Sequence, residues 1–150
     1  MYFEGTFIVN TPRERVWTYI SDPRSVAKCV PGLKKLEVQA KDKFTAKIEL
    51  GIGWVKGNFD FKFTVTEEAP PSHAKLSAQG SGVRSEINFD VAIDLTDTSK
   101  GGTVLSWKAD AMVGGLLAGV GQRLLGSMAK KIVDQLFENM RSELENGNPT

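Results

Sequence analysis

Hydrophobic and polar residues alternate along most of this chain with the period of two that sets successive side chains on opposite faces of a β-strand. Residues 2–9 begin the pattern, with Phe3, Phe7 and Val9 on one side and Glu4 and Thr6 on the other. It resumes after Leu33, where Phe44, Ala46, Ile48 and Leu50 alternate with Thr45, Lys47 and Glu49. Val55, Phe59, Phe61, Phe63 and Val65 then alternate with Lys56, Asn58, Asp60, Lys62 and Thr64. Three further series follow: Ala74, Leu76 and Ala78; Ile87, Phe89, Val91, Ile93 and Leu95; and Leu105, Trp107, Ala109 and Ala111. Such alternation belongs to antiparallel strands with one wet face and one dry face. Turns are expected at Asp42, Pro70-Pro71, the Gly80–Gly82 stretch and Lys100-Gly101-Gly102, with Gly114-Gly115 ending the last strand.

Two interruptions of the alternation predict helices. Thr11-Pro12-Arg13-Glu14 reads as a helix start, with Thr11 as N-cap, Pro12 at the first helical position and Glu14 completing a capping box. Val16, Trp17 and Ile20 form its apolar stripe. Asp22-Pro23 stops that helix and starts a second short one, which ends near Cys29-Val30-Pro31-Gly32. After Gly115 the spacing becomes helical: Leu117, Val120, Leu124, Met128, Ile132, Leu136, Met140 and Leu144 recur every three or four residues. Leu125, Ala129, Val133 and Phe137 widen that face, and Gly147 with Pro149 marks its end. A helix of about 30 residues spans about 45 Å, enough to cross a small sheet, and is placed in the sheet's concavity. The expectation is an α+β fold: one domain over residues 1–150, with about seven curved antiparallel strands around a long C-terminal helix and two short helices after the first strand. Gly115, Gly119, Gly121 and Gly126 in that helix would each cost roughly 1 kcal/mol relative to Ala. Close helix-to-sheet packing would offset this cost, and so would space left for a ligand or a bend at an entrance.

Composition removes several classes of function. Lys plus Arg total 19 against 18 for Asp plus Glu, so no global field attracts nucleic acid, and no such partner is expected. The single cysteine, Cys29, excludes an internal disulfide and a cysteine zinc cluster. The first ten residues lack the basic start and apolar run of a secretory signal, and the low-polarity run Ala111 to Gly121 is too short to span a bilayer. A cytoplasmic location is expected, with neither metal nor other cofactor.

The dry face narrows the chemistry further. It holds Phe, Val, Ile, Leu, Ala and Trp, whereas acid–base catalysis requires a titratable group within hydrogen-bond reach of the substrate. Such a face solvates a lipophile and lacks the means to transform one. His73, following Pro70-Pro71-Ser72, reads as a solvated surface histidine without a positioned partner, and Cys29 as a partly buried structural thiol. Trp17 and Trp107 read as core, while Trp54 in Gly51-Ile52-Gly53-Trp54 suits an exposed rim in contact with a membrane surface or partner. A cyclase- or dehydratase-like enzyme would require Asp110, Glu49, Arg123 or Gln122 to converge on a cavity. An assembly factor would require only a filled core.

The order strand, two short helices, six strands and long helix resembles the START-like helix-grip superfamily. Within it the sequence is similar to the CoxG family of carbon monoxide dehydrogenase proteins over nearly its whole length. The matching pieces include Val16-Trp17 before Asp22-Pro23, Cys29-Val30-Pro31-Gly32, Lys47-Ile48 to Gly51, Gly80 to Gly82 and Gly102-Thr103 before Leu105. The strongest is Gly121-Gln122-Arg123-Leu124, continuing through Ala129-Lys130-Lys131 and Gln135-Leu136-Phe137-Glu138-Asn139. The resemblance implies a non-catalytic accessory protein to a molybdenum-containing carbon monoxide dehydrogenase or related hydroxylase, with roles in membrane recruitment and quinone handling. It implies peripheral placement at the inner face of the membrane, although Asn146 to Thr150 has none of the hydrophobic tail that some members carry. Carried onto this chain, it implies a lipid- or quinone-binding cavity walled by Phe59, Phe61, Phe89, Leu105, Trp107, Leu117, Val120 and Leu124.

Overall fold

Seven strands pair in one antiparallel sheet in the computed structural model, which describes residues 1–146. In chain order the elements are β1 (Tyr2–Val9), α1 (Arg13–Ile20), α2 (Pro23–Ala27), β2 (Leu33–Ala40), β3 (Lys43–Ile52), β4 (Val55–Ala69), β5 (His73–Gly82), β6 (Ser85–Asp97), β7 (Thr103–Gly115), a 3₁₀ turn (Leu116–Val120) and α3 (Gln122–Asn146). Strands β2 to β7 form a meander, and β1 closes onto β7, giving the order β1-β7-β6-β5-β4-β3-β2. The consecutive strands β1 and β2 thus occupy opposite edges. Six inter-strand spacings of about 4.8 Å separate them, roughly 29 Å if the sheet were flat. Curvature shortens the path that α1 and α2 must cover, and it makes the hollow in which α3 lies. This is the α+β helix-grip architecture that the alternation predicts.

The details correct several sequence expectations. Thr11 caps no helix: its hydroxyl donates to the Leu144 carbonyl at 3.2 Å, and its own carbonyl accepts from Thr103 Oγ1 at 2.6 Å. Helix α1 therefore starts one position late, after Pro12, without a side-chain cap. Tertiary partners outcompete the local capping box because Thr11 is buried between β7 and the end of α3. Asp22, by contrast, caps α2 as expected, accepting from the Arg24 amide at 3.0 Å ahead of Pro23.

Gly80 and Gly82 are strand residues rather than turn residues. Side chains there would collide with the Phe61 ring and with the Asn58 carbonyl. The turn lies next to them, at Val83 and Arg84, both with positive φ.

The C-terminal segment is two pieces, not one helix of about 30 residues. The 3₁₀ turn ends at Gly121, whose φ of 100° breaks the helix, and α3 runs for 25 residues from Gln122. Gly115 and Gly121 supply left-handed backbone at the two ends of the turn. Of the four glycines, only Gly126 lies inside α3. The expected helix stop at Gly147 and Pro149 lies outside the described residues.

Candidate functional site

The core divides into two clusters set along the inner face of the sheet. The first contains Ala46, Ile48, Ile52, Val55, Phe59, Phe61, Leu117 and Leu125, with Phe63, Phe89, Val120 and Met128 packed against it. The second contains Phe7, Val9, Val16, Leu95, Leu105 and Leu144, with Trp17, Ile93, Trp107 and Phe137 packed against it. The strand register shows what separates them. Val65 pairs with Leu76, Leu76 with Val91, Val91 with Ala109 and Ala109 with Phe3, so one inner-face row crosses β4, β5, β6, β7 and β1. All five are apolar and half-buried, and none belongs to either cluster.

Helix α3 shows the same division. Leu125 near its start and Met140 and Leu144 near its end are buried, whereas Ile132, Val133 and Leu136 between them are half-buried and in neither cluster. The backbone of α3 comes closest to β1 and β3, on the two flanks of the sheet. An apolar strip, incompletely covered, therefore lies between two packed ends. Small side chains thin its floor: Ala109 and Ala111 on β7, Gly5 on β1 and Ala74 on β5.

The eight sequence-predicted wall residues fall on both sides of this strip. Phe59, Phe61 and Leu117 are buried in the first cluster, and Phe89 and Val120 pack against it. Leu105 is buried in the second, with Trp107 against it. Leu124 is 40% exposed at the outer end, beside Gly53. Aromatic residues that the alternation alone did not single out as wall join them. Phe63 lies 5.8 Å from Phe61 and 6.3 Å from Phe89 between ring centroids, and Phe44 stacks on Phe63 at 4.9 Å. At the other end Phe137 stacks on Phe7 at 5.0 Å and lies 6.1 Å from Trp107. Phe63 shares the parity of Phe59 and Phe61 in β4, and Phe137 lies on the widened stripe of α3; those signals were available in the sequence.

Polar groups do not converge on the strip. Among the described residues the buried polar side chains are Thr11, Ser85 and Thr103, and all three are engaged. Ser85 Oγ donates to the Val83 carbonyl and accepts from the Leu117 amide at 2.8 Å, tying the 3₁₀ turn to the sheet. Glu49, Asp110, Gln122 and Arg123 are all exposed. Among the described residues no cluster of three His, Cys, Asp or Glu side chains is arranged to hold a metal ion. Two surface hollows, of about 330 Å³ on the outer side of α3 and about 650 Å³ on the outer face of β2 to β6, are lined mainly by charged and amide side chains. Neither suits a lipophile.

Cys29 is buried, and burial raises its pKa although the Tyr19 hydroxyl stands 3.1 Å from Sγ. Burial and the neighbouring thiol likewise raise Tyr19. The pair is chemically quiet, as a structural thiol should be. His73 departs from expectation because it has positioned partners. As the first residue of β5 it meets Asp94 with Nδ1 at 2.8 Å and Glu67 with Nε2 at 3.0 Å. Both partners are on the outer face, away from the strip. Trp54 is 64% exposed at the β3–β4 turn, as its position predicts, and its ring lies 4.0 Å from where a Gly119 side chain would begin.

Comparison with known proteins agrees with this architecture. The family model for the carbon monoxide dehydrogenase protein CoxG matches residues 5–145. A conserved protein of known structure from Geobacillus kaustophilus is 35% identical, with a TM-score of 0.91 over 97% of this chain and 96% of that one. A START superfamily protein from Mycobacterium smegmatis shares the fold at 14% identity, with a TM-score of 0.75 over 98% and 99% of the two chains. No curated protein matches the sequence.

Proposed function

This chain belongs to the CoxG family of carbon monoxide dehydrogenase proteins, and from that premise we propose that it holds a hydrophobic ligand of the lipid or quinone kind between α3 and the sheet. The observation that carries the reading is the half-buried apolar row Val65–Leu76–Val91–Ala109–Phe3 facing Ile132, Val133 and Leu136. Each apolar Å² removed from water is worth about 25 cal/mol, so a lipophile lodged there gains from the strip and covers it. Phe59, Phe61, Phe89 and Leu117, with Val120 and Leu124, would wall one end, and Leu105 and Trp107 the other. With its buried hydroxyls already bonded, the interior favours carriage over chemistry.

The ligand would be delivered to, or held beside, a molybdenum carbon monoxide dehydrogenase-type enzyme, to which this chain is an accessory. Among the described residues no helix is long and apolar enough to cross a membrane. Contact with the inner face of a membrane would therefore be peripheral. The rim formed by Trp54, Ala118 and Leu124, with Lys56 and Arg123 exposed near it in sequence, fits an amphipathic edge at a headgroup layer. The test is solvent extraction of the natively purified protein followed by mass spectrometry, with uptake assays for quinones and fatty acids. A stoichiometric lipophile, or saturable uptake, is expected. Consistently empty protein with no saturable uptake would overturn the reading in favour of an assembly factor.

A further inference from the structure

Trp107 brings a polar atom to an otherwise apolar inner face. It lies on β7 directly opposite Gly5 of the edge strand β1. A side chain at Gly5 would begin 2.9 Å from the indole Nε1 and 3.1 Å from Cε2 and Cζ2. The nitrogen-bearing edge of the ring therefore occupies the space that Gly5 leaves open. Trp107 and Gly5 belong to the register row Ala74–Ile93–Trp107–Gly5, immediately beside the strip row that ends at Ala109 and Phe3. A buried indole N–H usually finds a partner. The hydrogen bonds at this end of the molecule join other groups: Thr103 to Thr11, Asn139 to Cys29, and Arg141 to Ile8. Among the described residues none accepts from Trp107 Nε1.

We propose that the Trp107 indole N–H is a specificity-determining hydrogen-bond donor for a carbonyl oxygen on the ligand held in the strip. The inference rests on reading the strip as a ligand site. It adds to that reading the ligand's chemistry: an apolar body bearing a carbonyl acceptor, either a lipid ester or a quinone ring. In apolar surroundings such a bond is stronger than in water, and an unmet donor is costly. Among apolar molecules of similar size, those that satisfy the donor are preferred.

The test uses the full chain and three probes: decylubiquinone, methyl oleate and the carbonyl-free dodecylbenzene. Binding is measured by calorimetry on wild type, Trp107→Phe and Gly5→Ala. Trp107→Phe keeps an aromatic ring and removes the donor; Gly5→Ala keeps the indole and displaces its nitrogen edge. Each variant is expected to weaken a carbonyl-bearing probe roughly 3- to 10-fold, the worth of one neutral hydrogen bond, and to leave dodecylbenzene within about twofold. Weakening of decylubiquinone alone assigns the acceptor to a quinone ring, and of methyl oleate alone to an ester; either supports the donor role. Equal weakening of all three probes, or of none, overturns it while leaving the ligand site standing. Failure of wild type to bind any probe overturns the site and this inference together. Should either variant fold poorly, the wild-type indole ¹H–¹⁵N resonance decides. It should move downfield with a carbonyl probe but not with dodecylbenzene, and no difference between them contradicts the assignment.

Discussion

His73 is bonded on both ring nitrogens to carboxylates, which only accept, so both nitrogens must carry protons. Asp94 first, and then Glu67, raise its pKa above the ordinary 6.5. His73 in turn, together with Lys75, lowers Glu67 below its ordinary 4.5. The imidazolium links β4, β5 and β6 beside the Pro70-Pro71 turn, near Arg13, which donates to Ser72 Oγ and pairs with Asp97. The histidine's contribution is full below pH 6.5 and is lost as pH rises through the raised pKa. That of Glu67 is full above pH 4.5 and is lost as pH falls through its lowered pKa. The site is exposed, so salt weakens both effects. An NMR titration should give His73 a pKa above 6.5 that falls in Asp94→Asn and in Glu67→Gln; a value at or below 6.5 in wild type would refute the geometry. The sequence showed His73 beside a turn and hid both partners, because neither lies next to it in sequence. Thr11 failed as an N-cap for the same reason: its partners lie on β7 and at the far end of α3.

At the scale of elements, periodicity was a good guide wherever one face is dry and one wet. Strands β3 to β7 emerge with the parity their alternation predicts, including Phe59, Phe61 and Phe63 on one face of β4. Periodicity cannot register a break that preserves the apolar face, and the junction of the 3₁₀ turn with α3 is such a break. Leu117, Val120, Leu124 and Met128 keep helical spacing across Gly121, where the backbone turns left-handed. The glycines on that segment therefore do different work, and alanine separates them. Gly126→Ala adds a β-carbon 3.8 Å from Met1 and 4.0 Å from Phe3, ordinary contacts, within a regular helix. It should stabilise the chain by about 0.5–1 kcal/mol. Gly121→Ala meets nothing within 4 Å, yet must adopt a φ of 100°. It should destabilise by roughly 1–3 kcal/mol through strain alone. Denaturant midpoints at constant m-value check both, and a stabilising Gly121→Ala would mean that the turn and α3 prefer to be one continuous helix.

For the whole molecule, the decisive feature is the arrangement of two packed ends around a strip that is only half covered. The sequence made the inner face legible as apolar and without titratable groups, and its resemblance to the family pointed to a cavity. It could not divide that face into clusters, because packing depends on which rows α3 crosses and where its backbone approaches the sheet. That is why Leu105 and Trp107 lie in a different cluster from Phe59 and Phe61, although all were predicted as one wall. The central claim is that a lipophile seats in the strip. The most direct measurement is a methyl NMR titration of the full chain with decylubiquinone. The methyls of Val91, Ile132 and Leu136 should shift saturably while those of the exposed Ile8 and Met112 stay still. Shifts confined to Ile8, Met112 or other exposed positions, with the strip unmoved at saturation, would contradict it.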